Sequence, residues 1–221
     1  MAFVSEKMAL VVENLTLRRG ERTILRALSF SAEPGVALLL TGPNGSGKTT
    51  LLRALAGLLA PSDGSIGLMG SVDPTPEDMA ERCHFVGHLN AVKSSLTVAE
   101  NAEFWARYLG GHLAGVGPAL ERFRLADLGS IPAGYLSAGQ KRRLGLCRLL
   151  LAPRTVWLLD EPAVSLDTAS QGLLAAAVNE HLARGGIVVA ATHQPLGFTP
   201  ARELQLGGDM AAGSAAETQA L

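Results

Sequence analysis

The chain has 221 residues, 48% of them apolar, with 19 basic against 20 acidic side chains and a formal net charge of −1. That length makes one domain, or one domain with a small appended lobe, and it is ample for a hydrophobic core. The near-zero charge argues against a general nucleic-acid binder, and no apolar run approaches the roughly 18 residues needed to cross a bilayer.

Met1 to Ala9 carries Glu6 and Lys7 and lacks a signal-peptide core, so the expected placement is cytoplasmic, with any service to a membrane running through a docked partner. Leu10 to Leu17 alternates as a strand, Arg18 to Arg22 is a polar turn, and Ile24 to Ser31 is a second strand candidate. Together they predict an antiparallel layer beside a main sheet. Val36 to Leu40 reads as a buried strand and Leu51 to Leu59 as a helix. Pro61-Ser62-Asp63-Gly64 is a turn, Ile66 to Met69 a short strand, and Pro74 to Arg82 a loop with a helical turn. Cys83 to Val86 is a further short strand.

From Thr97 the pattern becomes helical. Thr97 and Glu100 have the spacing of a capping box, and Gly110-Gly111 ends the helix that follows. Pro118 to Leu125 and Ala138 to Leu151 read as two more helices, the second with Lys141, Arg142, Arg143 and Arg148 on part of its surface. The region 97–150 is therefore expected to be a helical lobe within an α/β core. Val156 to Asp160 is an apolar strand ending in an acid, Thr168 to Ala183 a helix, Ile187 to Ala191 a buried strand, and Arg202 to Leu206 a last strand. The tail from Asp209 is expected to fray. Cys83 and Cys147, far apart and in no metal-binding pattern, read as buried reduced thiols.

Chemistry concentrates in Gly42-Pro43-Asn44-Gly45-Ser46-Gly47-Lys48-Thr49-Thr50, set between the buried strand and the helix. Strand, glycine-rich turn and helix make a phosphate-binding loop. Its glycines permit angles that a Cβ forbids, and its N–H groups converge at a helix N-terminus. Lys48 can reach β- and γ-phosphates, and Thr49 can offer a hydroxyl to Mg²⁺. Asp160, at the carboxyl end of a strand, fits a second acidic element that holds the metal, and Glu161 fits a base that activates water. His193 ends the neighbouring apolar strand and is a candidate for γ-phosphate contact.

Those elements, with Leu136-Ser137-Ala138-Gly139-Gln140 opening a helix, Asp160-Glu161-Pro162, Ser165-Leu166-Asp167 and Thr192-His193, resemble the ATP-binding cassette ATPases from residue 10 to about 208. The resemblance implies a P-loop nucleoside triphosphate hydrolase fold, ATP and Mg²⁺ as ligands, and head-to-tail pairing of two cassettes. It assigns Ser137, Gly139 and Gln140 to the nucleotide held by the opposite subunit, and Asp167 to the dimer seam.

Three positions depart from the family pattern. His88 stands where Gln usually approaches the metal and the attacking water, which makes His88 a metal-side candidate and also, through its loop, a coupling residue. Ala138 replaces the first glycine of the signature. Arg19 stands where an aromatic usually stacks on adenine, and its guanidinium plane can stack instead. With Gly87-His88, Val92-Lys93, Leu96 to Asn101 and Thr192 to Leu196, the chain is similar to the ATP-binding subunit of the haem exporter of c-type cytochrome maturation. That similarity implies ATP hydrolysis coupled to haem export or to release of a haem-carrying chaperone. It also implies integral membrane partners, a peripheral place on the cytoplasmic face of the bacterial inner membrane, and no nucleic acid. An ATPase subunit serving another transported substrate is the alternative.

Overall fold

A computed structural model describes residues 8–69 and 76–207. The tail from Asp209 and the start of the Pro74 to Arg82 stretch lie outside the described residues. Strand β1 (Leu10–Arg19) folds back antiparallel on β2 (Arg22–Ala32). After β3 (Ala37–Thr41) and helix α1 (Lys48–Leu55), strand β4 (Asp63–Leu68) returns to the free edge of β1, giving the sheet order β2-β1-β4. The turn at Pro61 to Gly64 sends the chain back along β1, so Leu68 pairs with Leu10. This third strand extends the expected antiparallel layer.

Helix α2 (Pro76–Arg82) leads into β5 (Cys83–Val86). With β6 (Val156–Asp160), β7 (Ile187–Ala191) and β8 (Ala201–Gln205) it completes a parallel five-stranded sheet of order β5-β6-β7-β3-β8. Every residue of β6 and β7 is buried, as expected for strands covered on both faces. Successive side chains point to opposite faces, and this divides the core in two. Leu38, Leu40, Leu158 and Val189 pack with α1 and the antiparallel layer, against Leu51, Leu15 and Leu28. Leu39, Leu159 and Val188 face the other way, with Leu146, Leu174 and Val178. Leu146 belongs to α5 (Ala138–Cys147), Leu174 and Val178 to α6 (Thr168–Ala183).

Between Val98 and Leu150 every named element is helical. Helix α3 (Val98–Tyr108) starts in the expected capping box. Thr97 Oγ1 accepts from the Glu100 amide at 3.1 Å, and the Glu100 carboxylate accepts from the Thr97 amide at 2.7 Å. Helix α4 (Val116–Arg122) begins before Pro118, because a proline in the first turn withholds an N–H that has no helical partner there. Helix α1 begins at Lys48 rather than Leu51, since the end of the phosphate loop is already helical, and Gly57, at φ +72°, follows its end.

The expected basic surface on 138–151 is corrected for two of its four residues: Arg142 is 3% exposed and Arg148 7%, both inside the protein, while Lys141 and Arg143 are half-buried. Arg148 lies over the Trp105 ring at 5.1 Å. The two thiols are buried and unpaired, and burial pushes Cys83 up to about 12 and Cys147 higher still.

Candidate functional site

In the order β6-β7-β3 the carboxyl ends of three buried strands lie side by side, which is where open α/β sheets bind ligands. From them emerge Asp160-Glu161, Thr192-His193 and the phosphate loop. Two glycines of that loop are required by space as well as by angle. At Gly42, with φ +127°, a Cβ would collide with the Leu206 carbonyl. At Gly47, with φ +101°, it would press on Ile24 Cγ2 at 3.0 Å and Leu25 Cδ2 at 3.1 Å. Gly47 is the N-cap of α1, so the loop presents amides at the positive end of that helix.

Lys48 is buried and arches over the loop, donating from Nζ to the carbonyls of Gly42 at 2.7 Å and Pro43 at 3.1 Å. Ser46 Oγ is buried and has no hydrogen-bond partner among the described residues. An ammonium and a free hydroxyl on a ring of amides are donors suited to an anion. Thr50, Asn44, Gly45 and Pro43 occupy the same loop, Pro43, Asn44 and Gly45 on its exposed rim.

Next to it, Thr49 Oγ1 donates to both oxygens of Asp160, at 3.1 Å and 3.0 Å. Residues 111 positions apart thus meet, and their hard oxygens form a donor set of the kind Mg²⁺ takes alongside phosphate oxygens and water. Among the described residues no cluster of three or more His, Cys, Asp or Glu could hold a metal by itself, so a metal here would depend on the nucleotide for its other ligands.

Glu161 continues the ladder, its amide donating to Ala191 O at 2.9 Å, and then turns into the left-handed region at φ +46°. The turn carries its carboxylate to His193, whose Nε2 lies 3.4 Å from Glu161 Oε1 and 3.1 Å from Asn44 Oδ1. In the tautomer that carries its hydrogen on Nε2, His193 links the phosphate loop and the candidate base. Lys48, Thr49, Asp160, Glu161 and His193 all meet at this one edge.

The signature residues stand apart from it. Ser137 caps α5, its Oγ accepting from the Gln140 amide at 3.2 Å while Gln140 Oε1 accepts from the Ser137 amide at 2.8 Å. The Ser137 hydroxyl proton stays free to be donated elsewhere. Ser137 and Ala138 are exposed, and Gly139 comes so close to Ser165 that a Cβ would lie 2.9 Å from its carbonyl oxygen. Asp167 caps α6 and is exposed; hydrogen bonds from Ser170 hold its carboxyl below the usual range. Arg19 ends β1 opposite Arg22 and is exposed. His88 is exposed too, and among the described residues it makes no hydrogen bond or ion pair with Thr49 or Asp160.

Two contributors were not singled out by sequence as parts of this contact network. One is Asn44 as the partner of His193. The other is Arg142, buried behind Asp160 and Glu161 with its guanidinium on their carbonyls. The glycines at 139 and 145, three positions to either side of Arg142, were the available signal of a helix in close contact.

A family model described as ABC transporter matches residues 25–164. The cytochrome c biogenesis ATP-binding export protein CcmA of Rhizobium meliloti (strain 1021) is 50% identical over 205 residues, covering 91% of this chain and 99% of that protein. The protein of the same name from Nitrobacter winogradskyi is 51% identical over 201 residues, covering 91% and 99%. Among solved structures, the ATP-binding subunit of an ABC transporter superposes with a TM-score of 0.78 at 25% identity, over 89% of this chain and 87% of that one. An ABC transporter ATP-binding protein from Pyrococcus furiosus gives 0.76 at 26% identity, over 90% and 97%. The two sheets and their helices make the same α/β fold as these ATPase domains.

Proposed function

The chain belongs to the ABC transporter family and is an ABC-type ATPase, and on that footing we propose that it drives a membrane complex of c-type cytochrome biogenesis. ATP hydrolysis would be coupled there to haem export or to release of the haem-carrying chaperone. The names carried by the half-identical relatives support this placement. The observation that carries the chemistry is the Thr49–Asp160 contact beside the Glu161–His193 pair.

The division of labour follows from position. Loop amides, Ser46 and Lys48 bind the phosphates, Lys48 exchanging its carbonyl acceptors for phosphate oxygens. Thr49 and Asp160 would hold Mg²⁺, which when bound supplies charge that neutralises the phosphate oxygens. Glu161 accepts the proton of the attacking water, and His193 orients Glu161 and reaches the γ-phosphate. Ser137, exposed, with Gly139 and Gln140, half-buried beside it, serve the nucleotide of a second cassette packed head to tail, with Asp167 at the seam. A site completed by a second copy explains why the α5 N-terminus is left open to solvent. The cassette domain is taken as 10–208 with the helical lobe at 97–150.

No helix among the described residues is long and apolar enough to cross a membrane, so integral partners would supply the path. His88 and Leu89, the latter 82% exposed, project from the loop after β5 and suit a partner's surface. The peripheral site would be the cytoplasmic face of the bacterial inner membrane. The test is purification from membranes with identification of co-purifying subunits, joined to complementation of a strain lacking this gene. Restored c-type cytochrome assembly by the wild-type gene, and none by Glu161→Gln, is expected. Partners of an unrelated transporter would favour the alternative, an ATPase for another substrate.

A further inference from the structure

Arg142 is 3% exposed, and each of its guanidinium donors has an acceptor. Nε donates to Pro162 O at 3.0 Å. Nη2 donates to Asp160 O at 3.2 Å and Glu161 O at 2.7 Å. Nη1 donates to Gly87 O at 2.8 Å and Asn90 Oδ1 at 3.2 Å. Guanidinium offers five N–H donors in a rigid planar fork, and here all five are matched. Among the described residues no carboxylate lies within ion-pair distance of it, so its close partners are four backbone carbonyls and the Asn90 amide, with the Asp160 and Glu161 charges acting from further off. Such a group is costly to bury unless its donors are met. Its acceptors belong to two loops, 160–162 and 87–90, while its own helix begins at the exposed signature Ser137.

The packing around it points the same way. Positions 139, 142 and 145 lie on one face of α5 at helical spacing. A Cβ on Gly139 would lie 2.9 Å from Ser165 O, and one on Gly145 would lie 2.9 Å from Asn90 O. The helix therefore touches the 160–165 loop and the 87–90 loop through its bare backbone, and Arg142 bridges both from between. Glu161 needs such a hold. Its φ of +46° lies in a region a non-glycine residue enters at a cost and keeps only when the surroundings over-determine it.

We propose that Arg142 is a positioning residue that fixes the backbone of Glu161 from behind and ties it to the signature helix and the 87–90 loop, so that the three move as one unit. The proposal deepens the reading of Glu161 as the base and rests on it. Engagement of α5 with a second cassette, or pressure on the 87–90 loop from a membrane partner, would then be felt at the base through a single side chain.

The test is steady-state and single-turnover hydrolysis by the full chain, with MgATP binding measured by a fluorescent ATP analogue. Arg142→Ala should lower kcat by roughly 10- to 100-fold while the analogue's affinity stays within about twofold, because the phosphate loop is untouched. Arg142→Lys, which keeps the charge without the fork, should recover only part. Asn90→Ala, losing one acceptor, should cost a few-fold. The decisive readout is the pair with Glu161→Gln: if Arg142 acts through Glu161, the double variant is no slower than Glu161→Gln alone. Multiplying losses, or wild-type kcat in Arg142→Ala, overturn the proposal. If Arg142→Ala does not fold, Arg142→Lys carries the same cycle with the same two outcomes. Undiminished turnover by Glu161→Gln itself would instead overturn the reading of the base.

Discussion

The parallel sheet presents two different chemistries at the two ends of its strands. The carboxyl edge is polar, partly exposed and bent: Glu161 and Ser165 both sit at positive φ, at +46° and +66°. Its Lys48 spans two carbonyls and its His193 shares one nitrogen between two acceptors. The amino edge of the same strands carries aromatic packing beside a cavity lined by Ala152, Arg154, Thr155, Trp157 and His181. There Trp157 stacks on His181 with centroids 4.0 Å apart and planes 5° apart, and His84 meets its edge at 6.5 Å. Each histidine is within hydrogen-bond reach of a carbonyl, His84 of Ala152 at 2.9 Å and His181 of Thr155 at 3.1 Å. Lys48 and His193 are held by contacts that a ligand can replace, whereas His84 and His181 rest on carbonyls and ring packing within the fold, and Trp157 Nε1 is buried with no hydrogen-bond partner among the described residues.

If that division is right, damage at the carboxyl edge costs turnover and damage at the amino edge costs stability. The largest effect is expected from Glu161→Gln. The amide keeps the shape but cannot take a proton, so kcat should fall by about 10²–10⁴-fold, while MgATP binds and accumulates in a closed dimer seen by size-exclusion chromatography. Lys48→Ala comes next. Losing one charge-assisted contact of about 1.5–3 kcal/mol should weaken ATP roughly 10- to 150-fold, read by equilibrium nucleotide binding, with thermal unfolding of the nucleotide-free protein little changed. A large drop in stability in either variant would blur the two edges.

The amino edge answers to pH. Burial pushes the His84 imidazole down from 6.5 to about 4, and the same cause lowers His181. The folded state therefore takes up protons at both less readily than the unfolded chain does. Stability is fully present above pH 6.5 and is lost as pH falls from there toward 4. His84 alone should remove about 2 kcal/mol between pH 8 and pH 5. Urea midpoints measured across that range should shift accordingly, and His84→Gln, which cannot titrate, should flatten most of the slope. An unchanged slope would show that the amino edge is not the source.

How much of this was open to the sequence depended on range. The cap at Thr97 and the helix opening at Leu136 to Gln140 were local chemistry, and α6 and β6 run between the residues their patterns gave. The β4 pairing was not legible as a third strand of the antiparallel layer, because short apolar runs do not name their neighbours. Arg142 was taken for a surface residue because an arginine among other basic residues in a helix usually is one. Its acceptors lie between 18 and 55 positions away and are mostly backbone carbonyls, which leave no mark in side-chain identity. The phosphate loop, Asp160, Glu161 and His193 were legible because each closes an apolar strand, and the parallel order then brings the ends together.

Arg19 tests where the reactive edge stops. It lies outside the parallel sheet, at the end of β1 in the antiparallel layer, exposed beside the turn at Gly20-Glu21. Among the described residues it makes no hydrogen bond to the phosphate loop. If its guanidinium plane stacks on the adenine ring, the contribution belongs to the base alone and is modest, as expected for an exposed cation–π contact. Arg19→Ala should then weaken ATP roughly two- to fivefold and leave inorganic triphosphate binding as it was. Arg19→Tyr should restore or tighten ATP, since an aromatic face stacks without a charge to keep hydrated. Calorimetric titration with the two ligands separates the outcomes. Equal losses for ATP and triphosphate would make Arg19 a general attractor of negative charge. No loss for either would confine nucleotide recognition to the carboxyl edge of the parallel sheet, with the antiparallel layer serving only as a cover for α1.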